Sequence, residues 1–174
     1  AITRNGWQHL AKLLDGEISL SLIDKTGQDL ADQVDEMLCR TAKFPSTFIH
    51  SDLRADNLLF SLDGESVALI DWQGSCIAPP VFDFAYFLIQ SLTIENRKRL
   101  EQDLMKFYAE ELERSGLKIS FDNLKEVYES SLFYSFAIAC SIPLINDPAI
   151  PRVRELGIAM GTRSIQVLKD YDQI

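Results

Sequence analysis

Two short apolar runs, Leu58-Leu59-Phe60 and Val67-Ala68-Leu69-Ile70, stand on either side of Asp63-Gly64. Strand-forming runs around an Asp-Gly turn fold back on each other as an antiparallel hairpin, here with a loop longer than two residues. Strands joined in this way start and end at one edge. The residues just outside the hairpin are therefore brought side by side: Asn57 before the first strand and Asp71 after the second, fourteen positions later. Asp52 lies five residues upstream of Asn57, on a polar loop that enters the same edge. Two carboxylates and an amide oxygen thus converge on one small volume. Oxygen ligands of this kind suit a hard cation, and Mg²⁺ with phosphate oxygens is the usual guest. An acidic group outside the metal shell can hold and deprotonate an attacking hydroxyl.

The rest of the chain reads as helix. Trp7, Leu10, Leu13 and Leu14 recur at helical spacing before Gly16, and Leu30, Val34, Met37 and Leu38 do the same after a start signal at Thr26-Gly27. Pro45 closes this region, and Thr47-Phe48-Ile49 is short and β-prone. Beyond Pro79-Pro80, Phe82, Ala85, Tyr86, Leu88 and Ile89 open a helix. Thr93 caps the next, in which Leu100, Leu104, Phe107, Tyr108 and Leu112 recur until Gly116; Asp122 caps a third, and Pro151 starts a fourth that runs to Lys169. The aromatic residues Phe107, Tyr108, Tyr128, Phe133, Tyr134 and Phe136 are most simply core. The expected fold class is α+β, mostly helical, with one small β-hairpin insert, in a single domain over residues 1–174.

Charge and cysteine usage exclude several functions. With 17 Lys+Arg against 26 Asp+Glu and no basic run, the chain lacks the cationic face of a non-specific nucleic-acid binder. The uncharged run from Ser130 to Asn146 is too short, and too interrupted by Ser and Pro, for a membrane span. No basic segment followed by an apolar core opens the chain, so no signal peptide is expected. Cys39, Cys76 and Cys140 are odd in number, far apart and outside any C-x-x-C pair, which argues for reduced thiols in a cytoplasmic protein.

The motif His50-Ser51-Asp52-Leu53-Arg54-Ala55-Asp56-Asn57, followed by a hairpin and Asp71-Trp72-Gln73, resembles the catalytic half of the kinase-like fold. It looks most like the aminoglycoside and choline phosphotransferases and the related ecdysteroid-kinase-like group. Those families carry a small residue after the His, matched by Ser51, and an aromatic-led stretch after the metal-binding Asp. They also carry a later Asp-x-Ala, matched by Asp83-Phe84-Ala85. The resemblance implies a C-terminal lobe of an ATP- and Mg²⁺-dependent enzyme that phosphorylates a hydroxyl of a small molecule. Asp52 is then the catalytic base, and Asn57 and Asp71 hold Mg²⁺ and, through it, the nucleotide. His50 and Asp83 support the catalytic loop. Arg54 pairs with Asp56 or reaches substrate, and Trp72 either walls the site or fills the core beneath it.

The same resemblance implies a β-rich N-terminal lobe that grips the nucleotide, and the fifty residues before His50 read as helices without a Gly-rich loop. The expectation is a C-terminal lobe whose partner lobe lies upstream in a longer protein, with an apolar face where that lobe docks. A cationic acceptor fits the acidic chain, and a hydrophobic alcohol fits its aromatic helices. Two rivals remain: a non-catalytic kinase-like binding module, and a metal-dependent hydrolase using His50, Asp52 and Asp71, for which His9 is the only other histidine.

Overall fold

The computed structural model describes residues 2–16 and 20–173, and their side chains outside residues 17–28. The chain divides into two compact units, Ala1–Cys39 with Leu132–Ile174, and Arg40–Ser131.

The first unit is helical. It contains α1 (Ile2–Leu14), most of α2 (Leu20–Thr41), the C-terminal part of α5 (Phe121–Ile145) and α6 (Pro151–Asp170). Trp7, Leu10, Leu13 and Leu14 line one face of α1 and are buried, as their spacing predicts. That face packs on α6. Gly157 and Gly161 stand one turn apart on α6, and a Cβ at either would come within 3.0 Å of a Leu13 or Leu10 methyl. A Cβ on Gly6 would lie 2.1 Å from the Cys140 carbonyl oxygen, so α1 meets α5 closely enough to require glycine there. Trp7 lies against Phe136 with ring centroids 5.7 Å apart. Burial pushes the Cys140 thiol up to about 12, so this thiol stays protonated and inert. The helix start expected at Thr26-Gly27 falls inside α2, which already runs at Leu20; the side chains at 26 and 27 lie outside the described residues.

The second unit carries all four strands. β1 (Thr47–Ile49) pairs antiparallel with β4 (Cys76–Ala78), and β2 (Leu58–Phe60) pairs antiparallel with β3 (Val67–Leu69). β2 and β3 form the expected hairpin, with Leu58 opposite Leu69. Its turn closes on itself: Ser61 N–H donates to the Ser66 carbonyl at 3.0 Å, and Gly64 takes φ +74°. β4 is too short and too isolated in sequence to show a strand signal; pairing with β1 supplies its backbone partners.

Three helices complete this unit: α3 (Val81–Ser91), α4 (Ile94–Arg114) and the N-terminal part of α5. Thr93 caps α4, its hydroxyl accepting the Asn96 N–H at 3.2 Å. α5 is capped by Ser120 rather than Asp122: the Asn123 N–H donates to the Ser120 hydroxyl at 3.2 Å. Asp122 sits in the first turn, where its charge suits the helix N-terminus.

The buried seam of α4 also departs from its apolar spacing. It runs through Arg97, Glu101, Met105 and Leu112, while Phe107 is 57% exposed. Arg97 and Glu101 are buried because they satisfy each other at 2.9 Å, one turn apart, and Glu101 also accepts the Tyr128 hydroxyl. By length and composition α5 is apolar enough to cross a membrane, and half of its most apolar stretch is buried within the protein. Tyr128, Phe133 and Phe136 on it are fully buried, as the core reading of the aromatic stripe expects.

Candidate active site

The loop from His50 to Asn57 enters from β1 and leaves into β2, and its path is fixed by hydrogen bonds to two other segments. The first is the exit of the hairpin. Ile70 N–H donates to the Asn57 carbonyl at 3.1 Å, which extends the β2–β3 ladder by one step. The Ile70 carbonyl lies 2.8 Å from His50 Nε2, and the Asp52 N–H lies 3.3 Å from His50 Nδ1. A ring that accepts from a backbone N–H at Nδ1 must donate from Nε2, so His50 is the neutral Nε2–H tautomer. Both ring nitrogens are then engaged by backbone, and the side chain is 2% exposed. That leaves neither nitrogen for a metal, which removes the histidine the hydrolase reading requires. Asp71 follows Ile70 directly, so the hairpin brings it within one residue of the Asn57–Ile70 contact.

The second anchor is α3. Asp83, in its first turn, accepts the His50 N–H on one carboxylate oxygen at 2.7 Å and the Ser51 N–H on the other at 2.8 Å. Burial pushes the Asp83 carboxyl above its ordinary range, and the two backbone donors oppose that shift. Further along α3, the Ser91 hydroxyl accepts the Ala55 N–H at 2.9 Å.

Within the loop, the Asn57 amide nitrogen donates to the Asp52 carbonyl at 2.8 Å and to its carboxylate at 3.0 Å. Asn57 is buried. The other Asp52 carboxylate oxygen accepts the Tyr86 hydroxyl at 3.0 Å and lies 3.4 Å from Arg54 Nε. Arg54 also pairs with Asp56 at 2.6 Å, so this guanidinium links two carboxylates rather than forming one isolated pair. Trp72 is 43% exposed. It stacks on Phe48 at 5.8 Å and packs against His50 at 4.8 Å, backing the loop from one side.

Two non-glycine residues here adopt left-handed backbone: Ser51 at φ 63° and Asp71 at φ 65°. Such conformations are sparse for non-glycine residues and gather where a side chain must be aimed. They fall immediately before Asp52 and at the exit of the hairpin. Among the described residues the Asp71 carboxylate has no hydrogen-bonding or ion-pair partner, and it does not cap the 3₁₀ turn that follows it.

Asp52, Asn57, His50 and Asp83 are thus joined in one hydrogen-bonded group, with Asp71 at its edge. Tyr86 and Ser91 were not singled out from sequence. Tyr86 carried a usable signal, because it follows Asp83 by three positions on a helix and so shares its face.

The sequence profile of the phosphotransferase enzyme family (APH) matches residues 3–117, about two thirds of the chain and the whole of this group. The chain belongs to the phosphotransferase enzyme family. Solved structures similar to this phosphotransferase-family chain include a protein provisionally assigned as an aminoglycoside phosphotransferase from Ralstonia eutropha JMP134. It is 17% identical with a TM-score of 0.48, over 94% of this chain and 55% of that one. They also include an ethanolamine kinase of Plasmodium vivax, 16% identical with a TM-score of 0.47, over 94% of this chain and 48% of that one. The phosphotransferase-family chain therefore spans about half the length of these two proteins. No curated protein matches it.

Among the described residues no three His, Cys, Asp or Glu side chains form a self-sufficient metal cage. The donor set at the hairpin mouth is smaller and all oxygen: the Asn57 amide oxygen, whose nitrogen is turned to Asp52, and the unpartnered Asp71 carboxylate. Mg²⁺ is usually held by one or two protein oxygens, with phosphate and water completing its shell, and these residues fit that role.

Proposed function

We propose that this chain is the catalytic lobe of an ATP-dependent kinase that phosphorylates a hydroxyl of a small molecule. The observation that carries this reading is the closure of the Asp52 loop onto the hairpin exit through Ile70, with Asp71 left unpartnered beside it. Asp52 orients the acceptor hydroxyl and takes its proton as the oxygen attacks phosphorus. Asn57 and Asp71 would hold Mg²⁺. The metal–nucleotide complex, when bound, supplies the phosphoryl group and neutralises the charge that develops as it transfers. His50 and Asp83 fix the loop by its backbone, which suits a reaction that depends mainly on positioning.

The nucleotide-gripping lobe is proposed to come from a segment outside this sequence. Exposed apolar side chains on the four strands and their flanks, among them Phe48, Leu59, Phe60, Val67, Trp72 and Ile77, support that docking. A cytoplasmic setting agrees with three free thiols. A cationic acceptor agrees with the net charge of −9.

The test uses the longest natural form of the protein, with Mg²⁺, ATP and a pool of small hydroxyl compounds. Acceptor-dependent release of ADP is expected. Asp71→Asn should lower it at least a hundredfold, and raising the Mg²⁺ concentration should restore part of the loss, because a ligand and not the fold was removed. The 174-residue chain alone is expected to be inactive. Robust turnover by it would refute the need for a second lobe. Absence of turnover together with absence of Mg²⁺–nucleotide binding would favour a non-catalytic binding module.

A further inference from the structure

We infer that the cleft between the end of α2 and the start of α5 is a binding site for a small phosphomonoester that carries an apolar group. The inference stands apart from the phosphotransferase reading, because neither the 50–57 loop, the hairpin exit nor α3 lines this cleft. It lies wholly within the second unit.

The cleft has a volume of about 600 Å³, within the usual range of small-molecule sites. One wall is the chain that leaves α2. Arg40, Lys43 and Phe44 line it, and the Phe44 N–H donates to the Thr41 carbonyl at 2.9 Å. A second wall is the connection from α4 to α5. Gly116, at φ +92°, ends α4 in a left-handed turn, and the Leu117 N–H donates to the Leu112 carbonyl at 2.9 Å. Lys118 and Ile119 follow on this wall. One face of α5 completes the lining with Asn123, Glu126, Val127 and Ser130, spaced three and four residues apart. Both connections are closed by backbone hydrogen bonds, so the cleft exists before any ligand arrives.

Three cations and one carboxylate line this cleft, a local excess of positive charge in a chain whose net charge is −9. On the neighbouring helices Lys106 lies beside Asp103 and Lys125 beside Glu129. In the cleft, the Lys43 and Lys118 ammonium groups have no ion-pair or hydrogen-bond partner among the described residues. Glu126 shares the cleft with them and neutralises neither. Two ammonium groups and the Arg40 guanidinium supply more charge than a single carboxylate ligand balances. A phosphomonoester brings nearly two negative charges and three accepting oxygens, which suits cations converging from separate walls. Phe44, Ile119 and Val127 are half-buried in the lining and offer an apolar surface to the rest of the ligand. The volume holds a small molecule, not a folded partner.

The probe is phenyl phosphate, titrated calorimetrically into the longest natural form of the protein without Mg²⁺ or nucleotide. Saturable binding is expected, weakening as salt is raised. It should be at least about fivefold tighter than for inorganic phosphate, which lacks the apolar group, and than for benzyl alcohol, which lacks the charge. Lys43→Ala and Lys118→Ala should each weaken it about five- to tenfold. Glu126→Gln removes the opposing charge and should tighten it about two- to fivefold. Thermal unfolding at the parent temperature shows that each variant is folded. No binding of phenyl phosphate, or binding that ignores both lysine changes, overturns the inference. Inorganic phosphate bound as tightly as phenyl phosphate would mean an adventitious ion only and overturns it as well. An affinity left unchanged or weakened by Glu126→Gln overturns the charge argument and the inference with it. Capture by vesicles containing phosphatidate, without binding of free phenyl phosphate, would assign the cleft to a lipid headgroup and overturn the small-molecule class.

Discussion

Asp52→Asn is expected to lower acceptor-dependent phosphoryl transfer by about a hundred- to ten-thousand-fold, the usual worth of a positioned base. The change is isosteric, and the side chain remains within reach of Tyr86 and Asn57. The loop is anchored by the backbone of His50 and Ser51 rather than by the Asp52 carboxylate, so its path should survive. The loss should therefore appear in kcat, with nucleotide affinity close to that of the parent. Steady-state kinetics with nucleotide binding measured separately would separate these. An equal collapse of binding would show that Asp52 shapes the site rather than reacting in it.

Asp83→Ala is expected to damage stability and turnover together. It leaves the N–H groups of His50 and Ser51 without acceptors in a partly buried loop. Each orphaned donor costs about 1–3 kcal/mol, so the loss should be about 2–6 kcal/mol. Ser51 already holds a left-handed backbone, and of its anchors the Asp83 carboxylate is the one this change removes, while its hydroxyl still donates to the Gly74 carbonyl. Activity should fall as far as for Asp52→Asn, because the base can no longer be aimed. Asp83→Asn should rescue little: an amide offers one acceptor and turns an N–H₂ toward the second backbone donor.

The pH dependence of this effect has a definite sign. Burial raises the Asp83 carboxyl above 3.8 in the folded protein, so the folded state binds its proton more readily than the unfolded chain. The stabilising contribution of that titration is complete below the ordinary carboxylate range and is lost as pH rises through the raised value. The stability advantage of the parent over Asp83→Ala should accordingly shrink across that window. Urea unfolding of both at several pH values would measure it, and an advantage that grows with pH would contradict the burial argument.

Much of this site was legible before any fold was known, because its parts are close in sequence. The hairpin signal placed Asp71 against Asn57, and the spacing of Asp52 from Asn57 is local. Helix α4 showed where such reading fails. Its apolar spacing favoured Phe107, yet the buried seam passes through Arg97 and Glu101, two charges that meet each other and, through Glu101, Tyr128. No propensity registers a partner 27 residues away. β4 was invisible for the same reason, since its strand character comes from β1. Tyr86 counted as one more apolar member of α3, and only its hydroxyl, directed at a loop 34 residues upstream, distinguishes it.

The self-closing turn of the hairpin divides this stretch of chain into parts that tolerate changes of length very differently. Ser61 to Ser66 is sealed by its own hydrogen bonds and touches none of the groups that meet at the mouth. Insertions there only lengthen a loop, whose closure cost grows slowly with its size. One residue lost from Val67–Leu69 is another matter. The pleat has a period of two, so such a deletion exchanges the faces of the strand and carries Ile70 out of step with both Asn57 and His50. Among descendants of this gene, the hairpin tip is therefore the place for length variation, and the three residues of β3 form a ruler that insertions and deletions must leave intact.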